Sequence, residues 1–85
     1  GMTEWEEVCM IAFVLLKLAA GMEQKVLGQV RQVKGVKEVY ITFGGWDAIM
    51  TAEADTLDKL SGLVVREVRA IHGVQSTETL VTTNV

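Results

Sequence analysis

The sequence carries one cysteine, one histidine and only 22% charged residues. A single cysteine excludes an intrachain disulfide and suits a reducing compartment. Cys9 lies in an apolar stretch with no basic neighbour to lower its pKa, so it reads as a small hydrophobe and not as a catalytic thiolate. A single histidine excludes two-histidine metal motifs, and no Cys-x-x-Cys pair, Gly-x-Ser-x-Gly element or P-loop is present. No metal site, cofactor or catalytic residue is therefore expected. His72 precedes a glycine, where a cation suits the negative end of a helix dipole, and that role accounts for it.

The charges that are present also exclude. The net charge is −3, and the eight Lys and Arg residues are scattered. Without a basic stripe to displace counterions from phosphates, direct nucleic-acid binding is not expected. Arg31, Lys34 and Lys37 cluster in sequence but read as a solvated helix end. The longest apolar run, Val8 to Leu16, has nine residues, too few to span a bilayer. Acidic Glu4, Glu6 and Glu7 precede it, where a signal peptide would be basic. A soluble cytoplasmic protein is the expectation.

Turning to what is there, 49% of the 85 residues are apolar, enough for one domain. Gly1, ahead of Met2, is set aside as a cloning remnant; residues 1–7 form an N-terminal extension and residues 8–85 the domain. A chain this short buries only about 60% of its unfolded surface, so self-association is an expected source of stability.

A shift of 38 residues aligns the halves of the chain. Gly35-Val36 falls on Gly73-Val74, and Met22, Val26, Leu27, Val30 and Val33 fall on Leu60, Val64, Val65, Val68 and Ile71. Their spacing marks one face of a helix in each half. Lys34-Gly35 and His72-Gly73 place a basic residue in the last helical turn and a glycine after it. Asp55 is the expected cap of the second helix, ahead of Leu57; the first begins at the weaker Gly21. Strands are expected over Val8–Leu18, Val36–Phe43, Trp46–Ala54 and Val74–Thr83. Gly44-Gly45 forms a hairpin that pairs Thr42 with Asp47 and Tyr40 with Ile49. The order β-α-β-β-α-β predicts an α+β, ferredoxin-like fold: a four-stranded antiparallel sheet with two helices on one face.

Alternation along the first strand puts Val8, Met10, Ala12, Val14 and Leu16 on one face and Cys9, Ile11, Phe13 and Leu15 on the other. Both faces are apolar, and helices cover only one. A dimer packed through the helix-free faces follows. The competing cover is the segment Met2 to Glu7, whose one large apolar group is Trp5.

For chemistry, the segment Thr42 to Asp47 stands out. Gly44 and Gly45 expose backbone N–H groups that an anion can approach, and the Asp47 carboxylate suits an ammonium. Asp47 points away from the row Val39, Ile41, Phe43, Trp46, Ala48 and Met50, the better candidate for the helix-covered core. On the last strand, Thr77 and Thr79 share a face and both donate and accept. Together these groups match a free amino acid. On spacing alone the simpler reading stands beside it: a glycine turn, an aspartate that stabilises it, and two β-forming threonines.

These motifs carry a resemblance. From Ala12 to Thr83, with Gly44-Gly45-Trp46-Asp47 and Gly73-Val74-Gln75-Ser76-Thr77-Glu78-Thr79 in register, the chain resembles the effector domain of the Lrp/AsnC (feast/famine) transcriptional regulators. The resemblance implies a ferredoxin-like domain of the dimeric α/β-barrel type. It implies dimers through the sheet and octameric or similar rings of dimers. It also implies an amino acid or related metabolite bound at contacts between dimers, through Gly44, Gly45, Asp47, Thr77 and Thr79, with Ser76 a weaker addition. Members carry a helix-turn-helix domain that has no counterpart in these residues, which suggests a stand-alone form acting with a full-length relative. The competing functions are a dimeric α/β-barrel enzyme, monooxygenase-like, acting on a small metabolite, with His72 its only obvious base, and an interaction module without a ligand.

Overall fold

A computed structural model describes residues 10–82. Val8, Cys9, Trp5 with its segment, and Thr83 lie outside the described residues. The chain runs β1 (Met10–Leu18), α1 (Glu23–Val30), β2 (Val36–Ile41), β3 (Ala48–Ala54), α2 (Leu57–Gly62) and β4 (Val74–Val81). Helix α2 continues directly into a π-helical segment, Leu63–Val68. The strands form one antiparallel sheet in the order β2-β3-β1-β4. This is the expected ferredoxin-like arrangement.

Alternation decides the core. Ala12, Val14, Leu16 and Leu18 of β1 and Ala48, Met50 and Ala52 of β3 are buried beneath the helices. The helices answer with Val26, Leu27 and Val30 from the first and Leu60, Val64 and Val68 from the second. No polar or charged side chain is buried among the described residues, so desolvation of apolar surface holds the layers together.

The repeat is written into the backbone. In the first half Val33 N donates to Val30 O and Val36 N to Val33 O; in the second Ile71 N donates to Val68 O and Val74 N to Ile71 O. These tight turns separate each helix from the strand that follows. Lys34 and His72 therefore sit beyond the last helical turn, contrary to expectation. Gly35 and Gly73 close the turns with φ of 100° and 108°. A Cβ at Gly73 would lie 2.6 Å from Val26 Cγ2, and one at Gly35 2.5 Å from Leu63 Cδ1. Both positive φ and close approach require glycine there.

Four further expectations are corrected. The cap of α2 is Thr56, whose Oγ1 accepts from Lys59 N at 3.1 Å; Asp55 instead pairs with Lys59 Nζ at 3.5 Å on the surface. The chain enters α2 one residue later than Asp55 suggested, because Thr56 holds the extended backbone that a capping residue needs. Val65, the repeat partner of buried Leu27, is half exposed, because the π segment adds a residue to the turn and rotates it off the core. The β2–β3 hairpin keeps the expected register, with Tyr40 opposite Ile49 and Thr42 N donating to Asp47 O at 3.0 Å, but its strands stop at Ile41 and Ala48. Finally, the apolar row does not stay in the core: Ile41 is 50% and Phe43 99% exposed. Helix α1 has eight residues and spans about 12 Å, too short to cover the hairpin tip.

Candidate ligand-binding site

Strand order decides which candidate residues meet. Leu16 of β1 pairs with Ala48 on one side and Thr77 on the other, so β1 separates the glycine–aspartate turn from the threonine strand. Two inter-strand steps amount to roughly 10 Å. Gly44 and Gly45 lie exposed at the hairpin tip. Asp47 is half buried, and its Oδ2 accepts from Leu18 N at 2.8 Å while its own N–H donates to Leu16 O at 2.9 Å. The carboxylate thus completes the end of β1. Thr42 Oγ1 donates to Trp46 O at 2.7 Å and steadies the same turn.

Register also sorts the faces. Thr77 and Thr79 pair with Leu16 and Val14, whose side chains are in the core, so both threonines face the helix layer. Ser76 pairs with Lys17 and lies on the opposite face with Asp47. Within one chain the six candidate residues therefore fall into an exposed tip, a pair on the helix-free side and a pair on the helix side of β4, where Thr77 is half buried and Thr79 exposed.

The threonines are in a cleft. Between α2 with its π segment and β4 lies an open depression of about 410 Å³. Its helix wall is Leu57, Leu60, Ser61, Val64, Val65 and Arg69; its strand wall is Thr77, Thr79 and Val81. It offers hydroxyls and one guanidinium against aliphatic carbon. The family motif pointed to Thr77 and Thr79 but not to Ser61, Val65 or Arg69. Their helical spacing gave the only signal, and the π segment alters it. His72 is exposed in the turn before β4 and lines no part of this cleft. Among the described residues no group of acidic, histidine or cysteine side chains is arranged to hold a metal ion, and no helix is long and apolar enough to cross a membrane.

The Lrp/AsnC ligand binding domain model matches residues 11–85. The chain belongs to the Lrp/AsnC family. An uncharacterized HTH-type transcriptional regulator of Pyrococcus furiosus is 36% identical to this Lrp/AsnC domain over 73 residues, covering 82% of this chain and 49% of that protein. The chain thus spans about half the length of the curated relatives it matches. The crystal structure of FFRP-DM1 superposes with a TM-score of 0.83 at 32% identity, covering 87% of this chain and 99% of that one. A transcriptional regulator of Neisseria meningitidis, solved in complex with L-Met, shares the fold at a TM-score of 0.85 and 18% identity, over 95% of this chain and 54% of that one. The relatives are transcription regulators, and this Lrp/AsnC domain is of their ligand-binding type.

Proposed function

We propose that this Lrp/AsnC domain senses a free amino acid or closely related metabolite and passes the signal to transcription through its own oligomeric assembly. The observation that carries this reading is the cleft in which Thr77 and Thr79 meet the helix layer, in a chain of the ligand-binding family. Hydroxyls beside aliphatic carbon suit a small zwitterion with a side chain. Gly44, Gly45, Asp47 and Ser76 join the site where a neighbouring copy brings its turn or strand alongside, since β1 keeps them apart within one chain. Residues 8–85 constitute the sensing domain. DNA reading belongs to a helix-turn-helix segment outside these 85 residues, such as that of a co-assembled full-length relative.

Assembly follows from the helix-free face. Phe13 is 37% exposed, and it is flanked by Thr51 on β3 and by Leu80, 47% exposed, on β4. Tyr40 adds to the same face at 53%. Two such faces packed together form the dimer, and dimers form higher rings. A ligand acts by preferring one assembly, and its effect is limited by that difference in affinity.

A thermal-shift screen of the free amino acids tests the reading. At least one is expected to raise Tm at millimolar concentration and to change the sedimentation profile. No shift with any of them means the domain is not an amino-acid sensor.

A further inference from the structure

The helix-free face carries charge as well as carbon, and the charges stand in an order. Strand register sets the side chains in rows across the sheet. One row runs Tyr40, Ile49, Leu15, Glu78, since Tyr40 pairs with Ile49, Ile49 with Leu15 and Leu15 with Glu78. The next runs Glu38, Thr51, Phe13, Leu80. Lys17 follows Leu16 and Asp47 precedes Ala48, so these two stand side by side beyond the first row. Ile11 and Glu53 pair beyond the second. The first row thus has a phenol at one end, a carboxylate at the other and two aliphatic side chains between. Tyr40 and Glu78 are both exposed. Three inter-strand steps, roughly 15 Å, keep them apart within one chain.

Two copies packed face to face are related by a two-fold axis between the sheets. In aligned packing that axis runs either along the strands or across them. An axis along the strands, through the middle of the β2-β3-β1-β4 sheet, folds each row onto its own copy. Tyr40 then faces the partner's Glu78, Leu15 the partner's Ile49 and Lys17 the partner's Asp47. Glu38 and Glu53 face carbon, but at the end where they share an open groove with Lys37. An axis across the strands exchanges the rows. Asp47 then faces the partner's Glu53, acid against acid. Lys17 faces the partner's Ile11 and Glu78 the partner's Leu80, so both charges lose water and gain no partner. The first arrangement also sets the two open edges side by side, β2 of one copy against β4 of the other, where each shelters the other.

We propose that two copies of this chain pack with their two-fold axis along the strands, and that Tyr40 donates to the partner's Glu78 while Lys17 pairs with the partner's Asp47. The inference rests on the assembly reading above and names its orientation and the side chains that select the partner. Each contact occurs twice in a symmetric pair. Asp47 keeps Oδ2 on Leu18 N and offers its other oxygen to the lysine. Apolar contact at the centre of the face supplies affinity, and these charged hydrogen bonds supply orientation. A relative joins in the same way only where it presents an acceptor opposite Tyr40 and an acid opposite Lys17.

Rescue between chains tests this. Tyr40→Glu sets a carboxylate against the partner's Glu78, and Glu78→Lys removes the acceptor of the phenol. Each variant alone is expected to raise the dimer dissociation constant at least tenfold in analytical ultracentrifugation, with unchanged far-UV circular dichroism. Mixed one to one, the two are expected to form a heterodimer at least tenfold tighter than either homodimer. One contact then joins the introduced glutamate to the introduced lysine, and the other keeps the native pair. A merely structural role at either position gives no such rescue, because the two sites do not meet within a chain. In the conservative pair, Tyr40→Phe is expected to weaken association severalfold and Glu78→Gln to add little to it. Single variants as tight as the wild type, or a mixture no tighter than its components, overturn the proposed orientation while a self-associating wild type leaves the assembly reading standing. A wild type that sediments at the mass of one chain ends both.

Discussion

Gly35 and Gly73 occupy matching places in the repeat, and each is held by two independent constraints. Their φ values of 100° and 108° disfavour any Cβ, and the space a Cβ needs is taken by Leu63 in one case and Val26 in the other. Gly35→Ala and Gly73→Ala are each expected to lower stability by about 1–3 kcal/mol in urea denaturation. Gly45 has neither constraint, with no atom within 4 Å of its ideal Cβ, so Gly45→Ala should shift the midpoint by no more than about 0.5 kcal/mol. Equal losses at all three positions would mean that a general glycine effect, and not the local fit, is being read. Asp47 carries a different lesson. Its carboxylate accepts from Leu18 N, so replacing it disturbs the end of β1 as well as anything it does for a ligand.

The two helices look alike in sequence and pack differently. Leu27 is buried against the sheet, whereas its repeat partner Val65 faces the cleft. Leu27→Ala is expected to cost about 2–5 kcal/mol through lost burial and the cavity left behind. Val65→Ala, half exposed, should stay within about 0.5 kcal/mol while changing ligand affinity. Thermal denaturation with and without amino acid reads both effects. A large loss at Val65 would place it in the core and return the second helix to a regular turn.

Across the molecule, β1 supplies both layers of apolar contact. Ala12, Val14 and Leu16 seal the helix side, while Ile11, Phe13 and Leu15 form the helix-free side. Burial of one large side chain is worth about 1.5–3 kcal/mol, so a lone subunit leaves that stabilisation unused. Phe13→Asp is expected to lower the sedimenting mass with little change in far-UV circular dichroism, since the core side of the strand is untouched. A variant that keeps the wild-type mass would show that copies meet through some other surface.

Local pattern carried much of this architecture. Period-two alternation named the two faces of β1, the helical spacing named Val26, Val30, Leu60, Val64 and Val68, and the glycine pair set the Tyr40–Ile49 register. Each of these depends on residues close in sequence, where covalent geometry fixes the outcome. Folding in three dimensions decided the rest. Because β1 is threaded between β3 and β4, Asp47 and Thr77 do not share a pocket in one chain. Because helix length limits cover, Phe43 stands in solvent. Because one turn widens to five residues, Arg69 and Val65 line the cleft while Arg31 and Leu27 do not. Strand order, helix cover and the choice of hydrogen-bond partner arise from packing between distant segments, which no local repeat encodes.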